Sequence, residues 1–414
     1  MAKLQPVRGT HDLLPEDCRR QARVVDACAE VAERYGYGEI QTPIFEFTGV
    51  FSRSLGDTSD VVTKEMYTFE DRGGEQITLR PENTASVARA VLSNGLLQQL
   101  PLKLWYAGAM FRYERPQKGR QRQFHQIGIE LFGVPDPTGD VEAIAMAADV
   151  LDMLGVLDKA RLELNTLGDE ASRVAYRGAL VAYMTKHRDG LSDDSRERLD
   201  RNPMRILDSK DEGDRRIVAD APLIFDHLSE EAQAFFDRVT GGLDALGIAY
   251  QVNPRIVRGL DYYCHTAFEF VTEELGAQGT VIGGGRYDGL MEQMSGPATP
   301  GVGWAGGIER LALLAGDPSP APRPFAIVPV GDQAATRALK LAHELRRQGL
   351  NIELAYRGNL KKQMQRANKV NARAAVIFGD DELARGVAAL RDLDSGEQTE
   401  LPIERVSQGL LALS

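Results

Sequence analysis

The sequence contains few cysteines, and their positions favour neither a disulfide framework nor a metal site. Cys18, Cys28 and Cys264 are odd in number, and neither they nor the six histidines have the short spacing of zinc ligands. Long apolar runs are also missing: no stretch of about 18 uninterrupted apolar residues occurs, and no apolar segment follows the first basic residues. We therefore expect a cytoplasmic protein with no membrane span, no secretory signal and no metal held by its side chains.

An overall excess of positive charge is also absent. The chain has 49 basic and 60 acidic residues and a formal net charge of -11, which by itself argues against a nucleic-acid partner, because phosphates attract clusters of Lys and Arg. One segment departs from this average: between Arg337 and Arg373 there are ten basic residues and two acidic ones, Glu344 and Glu353. The segregated charge favours contact with a polyanion, although two solvated helix faces would give the same pattern.

A proline-rich connector divides the chain. Residues 316–324 read GDPSPAPRP, with four prolines among nine residues, a composition typical of stiff and extended linkers. We therefore expect one domain at 1–316, a linker at 317–324 and a second domain at 325–414. The second domain alternates between strands and helices, which predicts an α/β fold with a largely parallel sheet. These elements are a strand at 325–330, a helix at 334–348, a strand at 351–356, a helix at 360–371, a strand at 374–378, and the extended segments VAALRDL and TELPIERV.

The part before the connector has a different pattern. A helix predicted over Arg20–Tyr35 is followed by short strands separated by Gly, Pro and Asn, which favours an antiparallel sheet in an α+β domain. From about residue 167 to 246 the chain becomes helical and highly charged before strands resume. This interruption is typical of an inserted helical subdomain.

The segment 102–132 predicts a hairpin with polar chemistry on one face. It reads as two strands around the basic loop ERPQKGRQR. In the second strand the two-residue period places Gln126 and Glu130 opposite the apolar side chains, and in the first strand Arg112 and Glu114 share a face. An arginine, a glutamine and a glutamate could therefore converge on one side of a sheet. A purely structural alternative is a cross-strand ion pair between Arg112 and Glu130.

Three further segments carry polar residues where ordinary strands would be apolar. LRPENT places an arginine, Glu82 and Thr84 at alternate positions, and VRGLDYY places Arg258 and the pair Tyr262 and Tyr263 before a strand. GGGRYDGL follows a strand, and its glycines would let the backbone approach a ligand closely, although a simple turn would look similar. The segment has no Gly-Lys-Ser/Thr sequence, which excludes a phosphate-binding P-loop of the usual kind.

A helix start near the end of this region also predicts an anion site. GVGWAGGIERLALLAG, residues 301–316, reads as a strand that turns into a helix, with Arg310 in the first helical turn. A cation is not favoured there by the helix dipole, so an anionic ligand at that end would explain it; the alternative is an exposed arginine paired with Glu309 or with another neighbour. Arg112, Arg258 and Arg310 together predict a site that neutralises phosphates, while Glu82 and Glu130 are available to a cationic or hydrogen-bonding substrate.

Five motifs in this sequence resemble those of one enzyme family. FRYERPQKGRQRQFHQIGIELFG resembles motif 2 of class II aminoacyl-tRNA synthetases in its histidyl form, GVGWAGGIERL resembles motif 3, and the segment around TPIFE resembles motif 1. VRGLDYY and GGGRYDGL resemble the two signatures of histidyl-tRNA synthetases of the bacterial type. The motifs occur in the family's order through nearly the whole chain. The resemblance implies an antiparallel-sheet class II catalytic domain with a helical insertion, followed by an α/β anticodon-binding domain.

The resemblance also implies a role for each polar residue of the site. Arg112 and Arg258 would be the catalytic residues and would hold the α-phosphate of ATP from opposite sides. ATP would also contact Glu114, Phe124, which would stack on adenine, and Arg310, which would hold the terminal phosphates. The implied histidine-binding residues are Glu82, Thr84, Arg112, Gln126, Glu130, Arg258, Tyr262, Tyr263 and Tyr287.

The implied reaction is the activation of L-histidine with ATP, with Mg²⁺ bridging the phosphates, followed by transfer of the histidyl group to the 3′ end of tRNA-His. Gln117, Arg120 and Arg122 would contact the acceptor end, the basic face of the C-terminal domain would meet the anticodon, and motif 1 would form a homodimer. Three departures from the family pattern are Asn83 where glycine is expected, Ile282 where cysteine is expected, and a glycine-rich motif 3. None of them removes a proposed ligand.

Two functions other than tRNA charging are compatible with the same resemblance. Catalytically inactive relatives that act as regulatory subunits of ATP phosphoribosyltransferase share the catalytic domain but lack an anticodon-binding domain. A nucleic-acid-binding module could also keep the fold and lose catalysis. The basic α/β domain argues against the first alternative, and retention of Arg112, Arg258, Glu82 and Glu130 argues against the second.

Overall fold

The computed structural model describes residues 3–56, 61–117, 119–257, 262–276, 279–356 and 358–413. The chain forms two compact units, Met1–Pro318 and Ser319–Ser414. Its strands are β1 (Gly38–Glu39), β2 (Phe45–Phe47), β3 (Tyr67–Glu70), β4 (Gln76–Leu79), β5 (Leu102–Phe111), β6 (Gln123–Phe132), β7 (Arg161–Thr166), β8 (Gln251–Val252), β9 (Cys264–Val271), β10 (Thr280–Arg286), β11 (Gly301–Gly307), β12 (Phe325–Val330), β13 (Ile352–Leu354), β14 (Ala374–Gly379), β15 (Val387–Asp392) and β16 (Gln398–Pro402).

None of the helices within the described ranges is long and apolar enough to cross a membrane. They are α1 (Pro15–Tyr35), α2 (Gly49–Leu55), α3 (Thr84–Ser93), α4 (Thr138–Met153), α5 (Glu170–Lys186), α6 (Asp193–Arg201), α7 (Glu212–Ala219), α8 (Glu230–Leu246), α9 (Leu290–Gln293), α10 (Ile308–Ala315), α11 (Asp332–Arg347), α12 (Leu360–Lys369), α13 (Asp380–Ala384) and α14 (Val406–Leu411).

The first unit is built on an eight-stranded sheet in the order β1-β5-β6-β11-β10-β9-β7-β8. Only the outermost pairs, β1 with β5 and β7 with β8, are parallel. The predicted antiparallel sheet is confirmed, and so is the hairpin, whose strands are β5 and β6. On β6 the side chains of Ile127, Ile129 and Leu131 enter the core beneath α1 and α4, which leaves the opposite face for the polar residues.

Helix α1 begins earlier than the apolar pattern predicts, at Pro15 rather than Arg20. Proline suits the first helical turn because its missing N–H is not needed there, and the carboxylates of Glu16 and Asp17 complement the positive end of the helix dipole. The helix stops at Gly36, which adopts the left-handed φ of 76°. Local chemistry at the start, rather than hydrophobic periodicity, therefore sets the extra turn.

Helices α5 to α8 lie between β7 and β8; α5, α6 and α7 enclose an apolar core of their own, whereas α8 packs with Phe236, Val239 and Leu243 against the main core of the first unit. The starts of α5 and α8 are tied together. The carboxylate of Asp169 accepts from the backbone N–H of Ser172 at 2.8 Å and from the Ser229 hydroxyl at 2.5 Å, and that hydroxyl in turn accepts from the N–H of Ala232 at 3.0 Å. Each helix start thereby gains acceptors for its free N–H groups.

The second unit is a five-stranded sheet in the order β13-β12-β14-β15-β16. Strand β12 is parallel to β13 and β14, whereas β15 and β16 are antiparallel additions at one side. The run FAIVPV forms β12, with five of its six residues buried, as expected for the centre of a parallel sheet covered on both faces. The predicted α/β fold is confirmed.

Candidate active site

A cavity of about 390 Å³ opens over the polar face of the large sheet. The sequence-predicted residues that line it are Glu82, Thr84, Arg112, Glu114, Arg120, Phe124, Gln126, Tyr262, Tyr263 and Arg310. Glu130 and Tyr287 are fully buried on the same side of the sheet, and Gln117 and Arg122 lie in the loop between β5 and β6. Arg258 lies outside the described residues.

Glu82 stands at the start of α3, where the helix fixes its carboxylate. One oxygen accepts from the backbone N–H of Thr84 at 2.7 Å and the other from that of Ala85 at 2.9 Å. Burial raises the pKa of Glu82, while these hydrogen bonds and the Arg112 guanidinium lower it in part. The geometry leaves a buried carboxylate with a fixed orientation at the cavity wall.

Glu130 lies deeper in the same pocket, in contact with aromatic hydroxyls. The Tyr287 hydroxyl donates to its carboxylate. Burial raises the pKa of Glu130 to about 8, with a smaller contribution from Glu82, although the hydroxyls of Tyr287, Thr84 and Tyr106 act in the opposite direction. The carboxyl group therefore keeps its proton at neutral pH.

Three tyrosines form the wall around this carboxyl group. The ring of Tyr262 lies 4.6 Å from that of Tyr263 and 5.6 Å from that of Tyr287, measured between centroids. Tyr263 and Tyr287 meet edge to face at 6.3 Å. Rigid aromatic walls with hydroxyl groups suit a flat, polar ring as ligand.

The glycines of β10 and β11 serve the close packing of the sheet as well as the cavity. Gly303 is paired with Glu130, and a side chain there would collide with the Glu130 carboxylate and the Tyr287 hydroxyl. Gly284 and Gly285 are each packed against the backbone of a neighbouring strand. Of the three consecutive glycines that open GGGRYDGL, Gly283 alone lines the cavity, so the prediction of close backbone approach to a ligand fits that position only.

The guanidinium groups of Arg112, Arg120 and Arg310 lie close together at the other end of the cavity. Arg112 donates from Nε to the carbonyl of Pro81 at 2.9 Å, and its guanidinium lies 5.3 Å from the ring centroid of Phe124. Arg310 donates to the carbonyls of Thr280 at 2.8 Å and Gly119 at 3.2 Å. Burial lowers the pKa of Arg310.

The neighbouring charges of Arg120 and Arg112 lower the pKa of Arg310 further. The three clustered guanidinium charges create a positive potential, which the negative charges of an oligophosphate would neutralise.

The structural alternatives for these arginines were an ion pair of Arg112 with Glu130 and an ion pair of Arg310 with Glu309 or another neighbour. The ion pair between Arg112 and Glu130 is wrong, because the register of the hairpin places Leu104 opposite Glu130 and Arg112 lies beyond the end of β5. Glu309, the proposed partner of Arg310, accepts from the backbone N–H of His125 at 3.0 Å and lies 2.7 Å from its Nδ1.

The hairpin loop is held by its own residues and by the N-terminal segment. Arg120 forms an ion pair with Glu114, and Gln117 and Arg120 exchange backbone hydrogen bonds of 2.9 and 3.0 Å. The guanidinium of Arg122 lies 3.9 Å from the ring centroid of Tyr113, and its backbone N–H donates to the carbonyl of Gly9 at 2.7 Å. Gln117 is the exposed member of the three predicted acceptor contacts.

Sequence reasoning missed several residues of the site. Glu269 and Thr280 line the cavity, and the Thr280 hydroxyl donates to the Glu269 carboxylate at 2.8 Å. The signal was available for Glu269, since a single carboxylate between two phenylalanines of a strand must face away from the core. Within the described ranges no three His, Cys, Asp or Glu side chains are clustered closely enough to hold a metal ion by themselves.

A buried ion pair beneath the site was also missed. Arg286 and Asp140 are both fully buried, and the guanidinium donates from Nε to the two carboxylate oxygens at 3.0 and 3.2 Å. Arg286 also donates to the carbonyl of Val134 at 3.0 Å and to Asp288 at 3.1 Å. The pair fixes the end of β10, from which Tyr287 enters the pocket.

Comparisons with known proteins identify the family of the chain. Residues 9–311 match the family described as histidyl-tRNA synthetase, and residues 325–413 match the anticodon-binding domain. The histidine–tRNA ligase of Rhodospirillum rubrum is 63% identical over 399 residues, which cover 96% of each chain, and that of Gluconacetobacter diazotrophicus is 60% identical over 414 residues and all of each chain. The crystal structure of apo Staphylococcus aureus histidyl-tRNA synthetase superposes with a TM-score of 0.82 and 35% identity, covering 98% of this chain and 99% of that one. The chain therefore belongs to the histidyl-tRNA synthetase family.

Proposed function

We propose that this protein activates L-histidine with ATP and transfers the histidyl group to tRNA-His. The observation that carries the proposal is the division of one cavity into two chemical halves: guanidinium groups lie at one end, and buried carboxyl and tyrosine groups at the other. The first half suits the triphosphate of ATP, and the second suits an amino acid with a polar ring. The family relationship and the basic second unit add the tRNA.

In the first step a carboxylate oxygen of histidine attacks the α-phosphorus of ATP. A new P–O bond forms, the bond from the α-phosphorus to the bridging oxygen breaks, and pyrophosphate leaves with that electron pair. Negative charge on the phosphoryl oxygens is stabilised by Arg112, with Arg310 on the leaving phosphates, so no general base is needed. Arg258, whose placement is not described, keeps its proposed role at the opposite side of the α-phosphate.

Histidine is held at both of its polar ends. Glu82, Thr84 and Gln126 receive the ammonium group, which favours the ionised carboxylate of Glu82. Glu130 and Tyr263 contact the imidazole. An amino acid without this ring would leave buried polar groups unpaired, which is the basis on which the pocket selects histidine.

The residues of the phosphate end also fit Mg²⁺ carried by ATP. Glu114 and Glu269 both line the cavity, and Mg²⁺ in nucleotide sites takes one or two carboxylates together with phosphate oxygens and water. When bound, the ion supplies charge neutralisation between the phosphates. The two carboxylates would hold and orient it.

The acceptor end of the tRNA would approach through a second cavity. This cavity, of about 680 Å³, shares Arg112, Arg120 and Tyr263 with the first. It is also lined by Arg198 and Arg205, in the inserted region between β7 and β8. We propose that these cations, with Gln117 and Arg122, hold the 3′ end while the ribose hydroxyl attacks the histidyl carbonyl and releases AMP.

In the second unit, α12 presents the basic residues of the anticodon contact. Lys361, Lys362, Arg366 and Lys369 all lie on this helix of ten residues. Arg366 is paired with Glu353 at 2.8 Å, and Tyr356, just before the helix, is 82% exposed. A cationic helix beside an exposed aromatic ring suits unpaired nucleotides, which combine phosphates with bases that can stack.

We further propose a homodimer that works in the cytoplasm. The small sheet β2-β4-β3 carries large apolar side chains that the chain itself does not cover: Phe45 and Phe47 on β2 and Phe69 on β3 are 54%, 60% and 47% exposed, and Ile44 beside them is 47% exposed. Such a patch favours burial against a second copy.

The test is ATP–pyrophosphate exchange with each of the twenty amino acids at a fixed Mg²⁺ concentration. Exchange that depends on histidine alone is expected, because it requires both halves of the cavity. Absence of exchange with every amino acid, in folded and dimeric protein, would instead favour the regulatory-subunit function. That alternative has no support from the two relatives named above, which match over nearly the full length and are histidine–tRNA ligases.

A further inference from the structure

Asn83 lies between two residues of the ammonium site, yet its side chain is turned into the core. It is 1% exposed and does not line the cavity, whereas its neighbours Glu82 and Thr84 do. Its φ of -114° and ψ of -15° are open to any residue, so replacement of the expected glycine causes no backbone strain. The role of the side chain must therefore come from its contacts.

The Asn83 amide oxygen accepts two hydrogen bonds from buried groups. The Thr42 hydroxyl donates to it at 2.7 Å, and Arg80 donates from Nη1 at 3.1 Å. Arg80 also donates from the same nitrogen to the Thr42 hydroxyl at 2.8 Å. The three side chains thus form a closed triangle in which each contacts the other two, and none is more than 9% exposed.

This triangle joins three separate segments of backbone. Thr42 belongs to the segment before β2, and its carbonyl accepts from Arg80 at 3.0 Å. Arg80 reaches β5 through a hydrogen bond from Nε to the carbonyl of Ala109 at 2.8 Å. Asn83 lies in the turn between β4 and α3, so the triangle also binds this turn. A charged network in a dry environment resists distortion, because each group that loses its partner there remains unsatisfied.

On its other side, the turn at 80–84 is bound by Arg112, which lies at the phosphate end of the cavity. Arg112 donates to the carbonyl of Pro81 at 2.9 Å, while Glu82 is bound to the first N–H groups of α3. The turn is therefore clamped between Arg112 and the triangle. A small rotation after loss of the core contact would move the Glu82 carboxylate, because it is attached to the same turn.

We propose that Asn83 is a positioning residue for histidine recognition, and that through Thr42 and Arg80 it fixes the orientation in which Glu82 and Thr84 meet the substrate ammonium. The inference rests on the proposed function and extends it to a residue that does not contact the substrate. It predicts an effect on histidine affinity that is separate from ATP affinity and from the turnover of the saturated enzyme.

The experiment measures exchange kinetics for the full-length Asn83→Ala chain. The KM for histidine should rise about tenfold, the size expected for one or two disturbed buried hydrogen bonds, while the KM for ATP and kcat at saturating histidine should change by no more than about threefold. Thr42→Val removes the shared hydroxyl and should give the same pattern. The double variant should be little worse than the poorer single one, since both act through one network.

Asn94→Ala is the matched control, because Asn94 donates to the carbonyl of Ala90 at the other end of α3. Its histidine KM should equal that of the unaltered chain. An unchanged histidine KM in both Asn83→Ala and Thr42→Val, with only reduced thermal stability, would overturn the inference. If Asn83→Ala does not fold, Thr42→Val and Asn83→Ser test the inference in its place. An unchanged histidine KM in both of them would overturn it. A chain with intact Asn83 that shows no histidine-dependent exchange would refute the proposed function itself.

Discussion

Replacing Glu130 by glutamine should stabilise the first unit at alkaline pH and have little effect near pH 4.5. The reason is the proton that the buried carboxyl group retains when its pKa is raised to about 8. In the unfolded chain the same group ionises near its ordinary value of 4.5. Between these two values the folded state binds more protons than the unfolded state, so the free energy of unfolding falls as pH rises.

The size of this effect follows from the shift. Each unit of pKa corresponds to about 1.36 kcal/mol, so the raised pKa sets an upper limit of about 5 kcal/mol that is lost between pH 4.5 and 8. Glutamine cannot ionise, and its amide oxygen can still accept from Tyr287. The variant should therefore become more stable than the unaltered chain by a few kcal/mol at pH 9.

The assay is urea unfolding followed by tryptophan fluorescence at several pH values. The chain has two tryptophans, Trp105 and Trp304, and both are buried in the core of the first unit, so the signal reports the unfolding of that unit. Glu170→Gln, which removes an exposed carboxylate from the first turn of α5, provides the control. A stability difference between Glu130→Gln and the unaltered chain that does not change between pH 5 and pH 9 would refute the reasoning.

Four other changes have equally definite outcomes. Asp140→Ala leaves the buried Arg286 charge without its partner and should lower the free energy of unfolding by about 3–5 kcal/mol in urea titrations; a loss below about 1 kcal/mol would contradict the buried pair. Arg310→Ala should raise the KM for ATP about tenfold or more in pyrophosphate exchange with little change in the KM for histidine, because it removes a charge-assisted phosphate contact. Deletion of 323–414 should preserve exchange but abolish charging of tRNA, and normal charging would disprove the anticodon contact. Phe47→Glu should convert a dimer to monomers in sedimentation equilibrium, and an unchanged mass would place the interface elsewhere.

The sequence predicted those parts of the fold that depend on local pattern. The two-residue period of 123–132 located β6 and its polar face, and the alternation after the connector located the α/β unit. Prediction was less accurate where local chemistry competes with periodicity, as at the start of α1. In the glycine-rich strands, a sequence pattern could not distinguish approach to a ligand from approach to a neighbouring strand, because both require the absence of a side chain.

For the site, motif resemblance supplied half of the residues that line the cavity, but not the contacts that hold them. The pair Asp140 and Arg286 is separated by 146 positions, and Thr42 and Arg80 by 38. Such partners are brought together only by the packing of several elements, so no spacing rule identifies them. The departure at Asn83 was visible in the sequence, whereas its physical explanation required the position of Thr42.

Charging of unfractionated bacterial tRNA with labelled histidine tests the central claim most directly. With ATP and Mg²⁺, labelled histidine should become bound to tRNA through an alkali-labile ester, up to a plateau set by the histidine-accepting fraction, and none of the other nineteen amino acids should be incorporated. Omission of ATP should abolish the reaction. A folded and dimeric protein that leaves the tRNA uncharged, or that charges it with another amino acid, would contradict the account.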